Sequence, residues 1–157
     1  MRKGSPFLVL VAALAAGCGS SSSTQQTSTR ADNRSVDQSA ARFVVTIQAQ
    51  LKRGQFARAW QTLHPAEKRV VSAQRLASCY PKSQFPGTVT FRATKTRDVR
   101  WLVPGTSDSA DVKEVTVTAT LGDGSKQTFT QHLVRRGGGW AWMLSKQYFN
   151  AARRGAC

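Results

Sequence analysis

A chain of 157 residues with 23 Lys or Arg against 8 Asp or Glu carries a formal net charge of +15. Its length suits one domain around one hydrophobic core and leaves little room for a second domain. A basic balance of this size would indicate a nucleic-acid partner inside a cell. The N-terminal segment described next predicts export, and no nucleic-acid partner is expected.

The N-terminus has the pattern of a secretory signal. Arg2 and Lys3 form a short positive region, and residues 7–16 follow as an apolar stretch of about ten residues. A membrane-spanning helix needs roughly 20 apolar residues, so this stretch is too short to be one. We therefore expect residues 1–17 to be a cleaved signal peptide.

The apolar stretch ends in the sequence Ala15-Ala16-Gly17-Cys18. This sequence resembles the lipobox of bacterial lipoproteins, although Ala15 stands where Leu is commoner. The resemblance implies that the thiol of Cys18 is lipidated and that the protein is anchored at the extracytoplasmic face of the cell membrane. The alternative is an ordinary cleaved signal in which Cys18 is a stray thiol.

A polar segment follows the cysteine. From Gly19 to about Val36 it has almost no apolar residues, so burial cannot offset the conformational entropy lost on ordering. Residues 18–37 are predicted to be the lipidated cysteine and a disordered Ser-rich tether, whose flexible part spans roughly 20 to 25 Å. A single soluble domain is predicted over residues 38–157.

The mature chain keeps 21 basic residues against all 8 acidic ones, a formal charge of +13. An exported domain with this charge meets anionic phospholipid headgroups and acidic wall polymers. We expect two basic clusters to contact them; the alternative is that the charges only keep the domain soluble. The first cluster is Arg92, Lys95, Arg97 and Arg100, and the second is Arg135, Arg136, Lys146, Arg153 and Arg154.

Lipidation of Cys18 would leave Cys79 and Cys157 as an even pair in an oxidising compartment. We expect them to form a disulfide, which would close a loop of roughly 79 residues and stabilise the fold by about 4 kcal/mol in the chain-entropy model. It would also tie residues 151–156, otherwise expected to be a loose tail, to the helical layer. Two free thiols are the alternative, because a sequence does not show that the sulfur atoms meet.

Helices are predicted first along the domain. Apolar residues recur at helical spacing over residues 38–51, and Gly54 marks the end of that helix. A second short helix runs over residues 56–64, where Pro65 disfavours helical backbone at the residue before it and is suited to open the next turn. Ser72 is expected to cap a further helix that carries Cys79.

Strands are predicted after Pro86 and Gly87. Apolar and polar residues alternate over 89–93 and 99–103 and most clearly from Glu114 to Leu121. Glycine-rich turns at 122–125 and 137–139 then lead into strands at 127–135 and 140–144. The chain therefore predicts an α+β domain in which N-terminal helices pack on a curved antiparallel sheet.

Two stretches carry a resemblance to a known superfamily. The sequence GQFARAW from residue 54 with LHP from residue 63, and the sequence HLVRRGGGW from residue 132, are similar to members of the nuclear-transport-factor-two-like superfamily. The resemblance implies a cone-shaped helix-and-sheet fold. That superfamily holds both enzymes and non-catalytic binding domains, so it leaves the activity open.

Candidate acids and bases are few, namely His64, His132, Asp98, Asp111 and Asp123. His64 is expected to cap the helix that Pro65 opens, and Asp123 to serve a glycine-rich turn. His132 is expected on the outer, solvent-facing side of the sheet. Asp98 lies between two arginines, which should keep it charged and make it a poor proton shuttle.

The sequence contains no pattern typical of a metal site, a phosphate-binding loop or a nucleophile elbow, so no metal and no cofactor are expected. We expect a non-catalytic binding or interaction domain, with envelope polymers, lipid headgroups or a protein as partner. The alternative is an enzyme that acts on a small apolar molecule in the cone pocket. A cone filled by Phe43, Phe56, Trp60 and Trp101 would favour binding, and a deep cavity lined by paired ionisable groups would favour catalysis.

Overall fold

The structure is a computed structural model that describes residues 36–80 and 85–155. The predicted signal peptide, Cys18, most of the tether and Cys157 lie outside those residues. Within the described ranges, no helix is long and apolar enough to cross a membrane.

Polar caps fix the starts of three of the four helices that precede the sheet. The Asp37 carboxylate accepts hydrogen bonds from the backbone N–H groups of Ser39 and Ala40, and Ser72 and His64 also act as caps, as predicted. Residues 36–80 hold four helices, α1 (Gln38–Lys52), α2 (Phe56–Gln61), α3 (Pro65–Lys68) and α4 (Ala73–Cys79).

Four antiparallel strands follow in the spatial order β1-β2-β3-β4. The strands are β1 (Val89–Leu102), β2 (Ser109–Leu121), β3 (Lys126–Arg136) and β4 (Gly139–Met143). The two alternating stretches predicted at 89–93 and 99–103 are one strand, β1, with a register shift between Ala93 and Lys95. The predicted α+β class, with helices packed on a curved antiparallel sheet, is confirmed.

The two faces of the sheet differ. The inner face carries Val115, Val117 and Leu133, which are fully buried with α1 in the main core. The outer face carries a smaller buried cluster built around Val112 and Met143. Phe43, Phe56 and Trp60 pack against the main core, whereas Trp101 joins the outer cluster and so does not fill the cone.

The predicted loose tail after residue 150 is part of a fifth helix, α5 (Lys146–Arg154). Ser145 caps it by accepting from the N–H of Tyr148, and Gly155 ends it in the left-handed conformation with φ of 69°. Phe149 and Ala152 bury the inner side of α5 in the main core. The C-terminal segment is thus docked through residue 155 by burial of these apolar side chains.

The last strand covers only part of its neighbour. β4 pairs with residues 132–136 of β3, and residues 126–131 of β3 pair with β2 on their other side. Among the described residues, no strand covers the β4 side of residues 126–131. The chain leaves the sheet after Met143 and turns into α5, which opens one end of the fold.

Candidate functional site

A cavity of about 380 Å³ lies at the open end of the fold. Its walls come from the uncovered end of β3, the connection from β4 to α5, the helices α1 and α4, and Trp101 of β1. Most of the wall is apolar, with Leu51, Leu76, Phe129 and Trp142 among the residues that contribute to it. Ligand pockets for small molecules have volumes of roughly 300 to 1,000 Å³ and mostly apolar walls, so this cavity is of the right kind.

Two glutamines form a polar strip inside the cavity wall. Gln131 is buried on β3, and its amide nitrogen donates to the backbone oxygen of Met143. Its amide oxygen accepts from the side-chain nitrogen of Gln48 at 3.3 Å. This chain of bonds joins α1, β3 and the end of β4 and holds the wall in one arrangement.

Two tyrosines supply further polar groups to the cavity. The Tyr148 hydroxyl donates to the backbone oxygen of Leu76 at 3.0 Å and ties α5 to α4. Burial raises the pKa of Tyr80 to about 12 and also raises the pKa of Tyr148. Both rings therefore stay neutral at pH 7 and act through hydrogen bonds and apolar contact.

A second polar chain reaches the cavity from the outer face of the sheet. The Arg97 guanidinium contacts the Glu114 carboxylate at 2.6 Å, and the other Glu114 oxygen lies 3.2 Å from Nε2 of His132. His132 also lines the cavity. The register that pairs Glu114 with His132 across β2 and β3 brings these groups together.

The prediction for His132 is right about the face and wrong about exposure. His132 does share the outer face with Thr130, but the residue is only 7% exposed. The Trp101 ring stacks on the imidazole with ring centroids 3.7 Å apart and covers it. The sequence predicts an outer face that is solvated throughout, and the buried outer cluster around Met143 contradicts that prediction.

Of the three linked side chains, Arg97 and Glu114 are charged at pH 7 and His132 is neutral. The hydrogen bond from Arg97 holds the pKa of Glu114 below its usual value. Burial lowers the pKa of His132, against the opposing effect of Glu114. His132 is therefore neutral at pH 7, and its contact with Glu114 is a hydrogen bond in which Nε2–H donates.

The other carboxylates proposed from the sequence have structural partners. Asp98 is exposed and contacts Lys113 at 2.5 Å, so neither flanking arginine binds it. Asp111 lies 3.4 Å from Arg100 on the surface. Asp123 accepts from Ser125 in the turn between β2 and β3, as expected.

The first predicted basic cluster is partly neutralised. All four of its residues lie on β1, but Arg97 is bound to Glu114 and Arg100 faces Asp111. Arg92 and Lys95 are exposed on the outer face beside threonines of β2. These two residues keep the cluster basic.

The second predicted basic cluster separates into different places. Arg135 and Arg136 lie at the turn between β3 and β4, where the Arg135 guanidinium stacks on Trp140 at 4.0 Å. Lys146 lies beyond the other end of β4 from this turn. The five residues of β4 separate the two places by about 17 Å at the usual rise per strand residue. Arg153 and Arg154 are at the far end of α5. Only Lys146 of these residues lines the cavity.

Glu67 is a buried carboxylate that the sequence analysis did not single out. It is 0% exposed, and both of its oxygens accept from the backbone N–H of Leu144, at 3.2 and 3.0 Å. Burial raises the pKa of Glu67 to about 8. The residue fastens α3 to the connection between β4 and α5, beside the cavity wall.

Cys79 lies half-buried near the end of α4. Its predicted partner Cys157 and the predicted lipidation site Cys18 both fall outside the described residues. The disulfide and the lipid anchor therefore stay predictions.

No protein-family model, curated protein or solved structure matches this chain. Over residues 36–80 and 85–155, no group of three or more His, Cys, Asp or Glu could hold a metal ion.

Proposed function

We propose that this chain is a lipid-anchored protein of the cell envelope whose domain binds a ligand in the cavity at the open end of β3 without transforming it. The anchor rests on the lipobox resemblance at Cys18, and membership of the nuclear-transport-factor-two-like superfamily is proposed on the motifs given above. The observation that carries the binding function is the cavity of about 380 Å³, with its apolar wall and few polar groups.

The polar groups of the cavity suit recognition better than proton transfer. Gln131 and Tyr148 already have partners that fix their positions. The imidazole of His132 is held by Glu114 on one side and covered by Trp101 on its face. Such groups orient a ligand and shape a wall, whereas a general base needs an accessible nitrogen near the reacting proton.

Lys146 gives the cavity a preference in charge. It is exposed at the first position of α5 and lines the cavity. The chain as a whole has 23 basic and 8 acidic residues, and its field favours anions. The proposed ligand therefore combines an apolar part with a negative group.

The test uses the mature chain from Gly19 onward, which lacks the acyl chains, and the anionic dye anilinonaphthalene sulfonate as a probe. We expect dye fluorescence to saturate with one site per domain, and Lys146→Glu to weaken the dye by about threefold or more because it reverses the charge at the cavity. Equal circular dichroism spectra would establish that the variants are folded.

Lys95→Glu is the matched control, because it makes the same charge change at an exposed residue outside the cavity. We expect it to leave dye affinity close to that of the unaltered chain. Equal loss in both variants would show that the dye senses net charge only. No saturable binding, or equal loss, would contradict the cavity as the ligand site.

A second candidate function is catalysis by His132, and the observation that favours it is the Glu114 hydrogen bond on the cavity wall. In that function Glu114 would orient the imidazole of His132 through Nε2. The other imidazole nitrogen, Nδ1, would then activate a water molecule as a general base. The test is hydrolysis of an apolar nitrophenyl ester. Turnover that disappears in His132→Gln would favour the enzyme, and dye binding without turnover would favour the binding domain.

A further inference from the structure

Backbone hydrogen bonds show which groups face the open edge of β3. The N–H of Trp142 donates to the oxygen of Thr62, and its own oxygen accepts from the N–H of His64. The backbone N–H and C=O of Trp142 therefore point away from β3. Leu133 stands opposite Trp142 and receives no bonds from it, so the N–H and C=O of Leu133 point towards β2.

Successive strand residues alternate in the side to which they direct their backbone groups. The pairing of β3 with β2 runs without interruption from Lys126 to Leu133. Gln131 and Phe129 therefore bond to β2, whereas Thr130 and Thr128 direct their N–H and C=O groups to the open side. No described residue bonds to the backbone of those two threonines on that side.

This open edge is exposed and continuous with the cavity. Residues 126–128 and Thr130 are exposed, and Phe129, Thr130 and Gln131 line the cavity. An exposed strand edge is a template for a further strand, and proteins usually block such edges with bulges or charges.

The other edge of the sheet is blocked in that way, but β3 is not. β1 has a register shift between Ala93 and Lys95 and carries four basic residues along its length. The uncovered part of β3 is regular and has Lys126 as its one charged residue. An added strand on β3 would also contact the cavity, to which β1 contributes only Trp101.

Charge identifies the kind of strand that fits. Lys126 stands at one end of the open edge, and Lys146 lines the cavity at the other. Asp123, in the turn before β3, also keeps its charge, and its carboxylate accepts hydrogen bonds from Ser125 within that turn. A second copy of this basic chain would bring like charges together, whereas an acidic peptide would meet both lysines.

We propose that the ligand is an acidic peptide segment in extended conformation, which pairs with Thr128 and Thr130 as an added strand and places apolar side chains in the cavity. Main-chain bonds to the edge would supply affinity, and alternate side chains would supply specificity. This inference rests on the proposed function, since it assigns a ligand class to the same cavity.

The probe is an eight-residue fluorescent peptide of alternating Glu and Val, added to the mature chain from Gly19 onward. Fluorescence anisotropy measures affinity, and amide hydrogen exchange by NMR shows where the peptide pairs. We expect the peptide to slow exchange at the amides of Thr128 and Thr130. We expect little change at Phe129 and Gln131, whose amides already bond to β2.

Two control peptides separate charge from strand pairing. A Lys-Val peptide tests charge, and a Glu-Val peptide methylated at every amide nitrogen tests main-chain bonding. We expect each to bind about tenfold or more weakly than the probe, since each loses charge attraction or main-chain bonds. Equal binding by the methylated peptide would overturn strand addition.

Thr130→Pro removes the N–H that would bond to the peptide, at a position where no sheet bond to β2 is lost. We expect this variant to lose peptide binding about tenfold, while Thr130→Ala keeps the N–H and the affinity. Equal affinity in the two variants would contradict the proposal.

Two further outcomes would also overturn it. If the dye binds the cavity but the peptide leaves the threonine amides unprotected, strand addition is wrong and the proposed function stands. If the same amides become protected at rising protein concentration without peptide, the occupant is a second copy of this chain.

Discussion

Glu67 shows how one buried side chain links stability to pH. Its pKa is raised by burial to about 8, from an ordinary value of 4.5. The folded chain therefore keeps a proton that the unfolded chain releases between those two pH values. The contribution of Glu67 to the free energy of unfolding is fully present below about pH 4.5 and is lost as pH rises through about 8.

We predict that the free energy of unfolding falls across that window by up to about 1.4 kcal/mol per pH unit from this group alone. Glu67→Gln removes the titration and keeps an oxygen that can accept from Leu144. Urea denaturation from pH 5 to pH 9 should show a flatter dependence in the variant. Parallel curves for the two proteins would show that Glu67 does not titrate in this window.

His132 is the residue at which sequence and structure differ most usefully. Its face could be predicted from alternation, and the turn at 122–125 even specifies that it stands opposite Glu114. Its burial could not, because the Trp101 ring that covers it comes from a strand not adjacent to β3. Sequence alternation describes faces, and tertiary contacts decide which part of a face meets water.

We predict that His132→Ala lowers the free energy of unfolding by about 1 to 3 kcal/mol, because it leaves a cavity beside Trp101 and a Glu114 oxygen without its partner. His132→Gln should lose less, since its amide can donate to Glu114. Chemical denaturation at pH 7 provides the measurement. A loss below about 0.5 kcal/mol, as is usual for solvent-exposed positions, would mean that the stacked arrangement is wrong.

At the scale of elements, the helices α1 and α4 and the hairpin turns could be predicted because local signals specify them. Ser72 and Gly54 are such signals, and the structure uses both. The helix α5 carries equally local signals in Ser145 and Gly155, but the sequence predicts its second half as a loose tail, because charged side chains obscure the apolar pair Phe149 and Ala152. The open edge of β3 follows from where β4 ends, and local sequence does not specify that.

The docking of α5 gives the predicted disulfide a different role. Phe149 and Ala152 already hold α5 against the core. A bond from Cys79 to Cys157 would therefore join the C-terminal ends of α4 and α5 rather than order a loose segment. We predict that non-reducing peptide mapping of exported protein recovers a linked Cys79–Cys157 peptide. Two alkylatable thiols would contradict the pairing.

At the scale of the whole molecule, the proposed lipid anchor at Cys18 would decide where the domain works. The lipobox resemblance predicts that a labelled fatty acid marks the unaltered chain in a bacterial host and does not mark Cys18→Ser. A label that persists in the variant would show that acylation does not occur at Cys18. This experiment addresses location alone, because the cavity and the open edge lie in the domain.

Net charge is also a property of the whole molecule. In the structure, two residues of the first basic cluster are paired with carboxylates, and the residues of the second lie in separate places. We predict that the mature chain from Gly19 sediments with anionic vesicles at low salt and is released as salt rises. Changing Arg135, Arg136, Arg153 and Arg154 to Gln should reduce sedimentation. Sedimentation unaffected by salt or by those changes would leave the charges as solvating groups.

We infer that the ligand site is the cavity with its adjoining strand edge, rather than the basic surface of β1. Chemical-shift mapping of the mature chain during titration with the Glu-Val peptide tests it most directly. We predict that the shifts concentrate at residues 128–132 and 143–146 and leave Arg92 and Lys95 unchanged. Shifts concentrated along β1, with residues 128–132 unchanged, would contradict it.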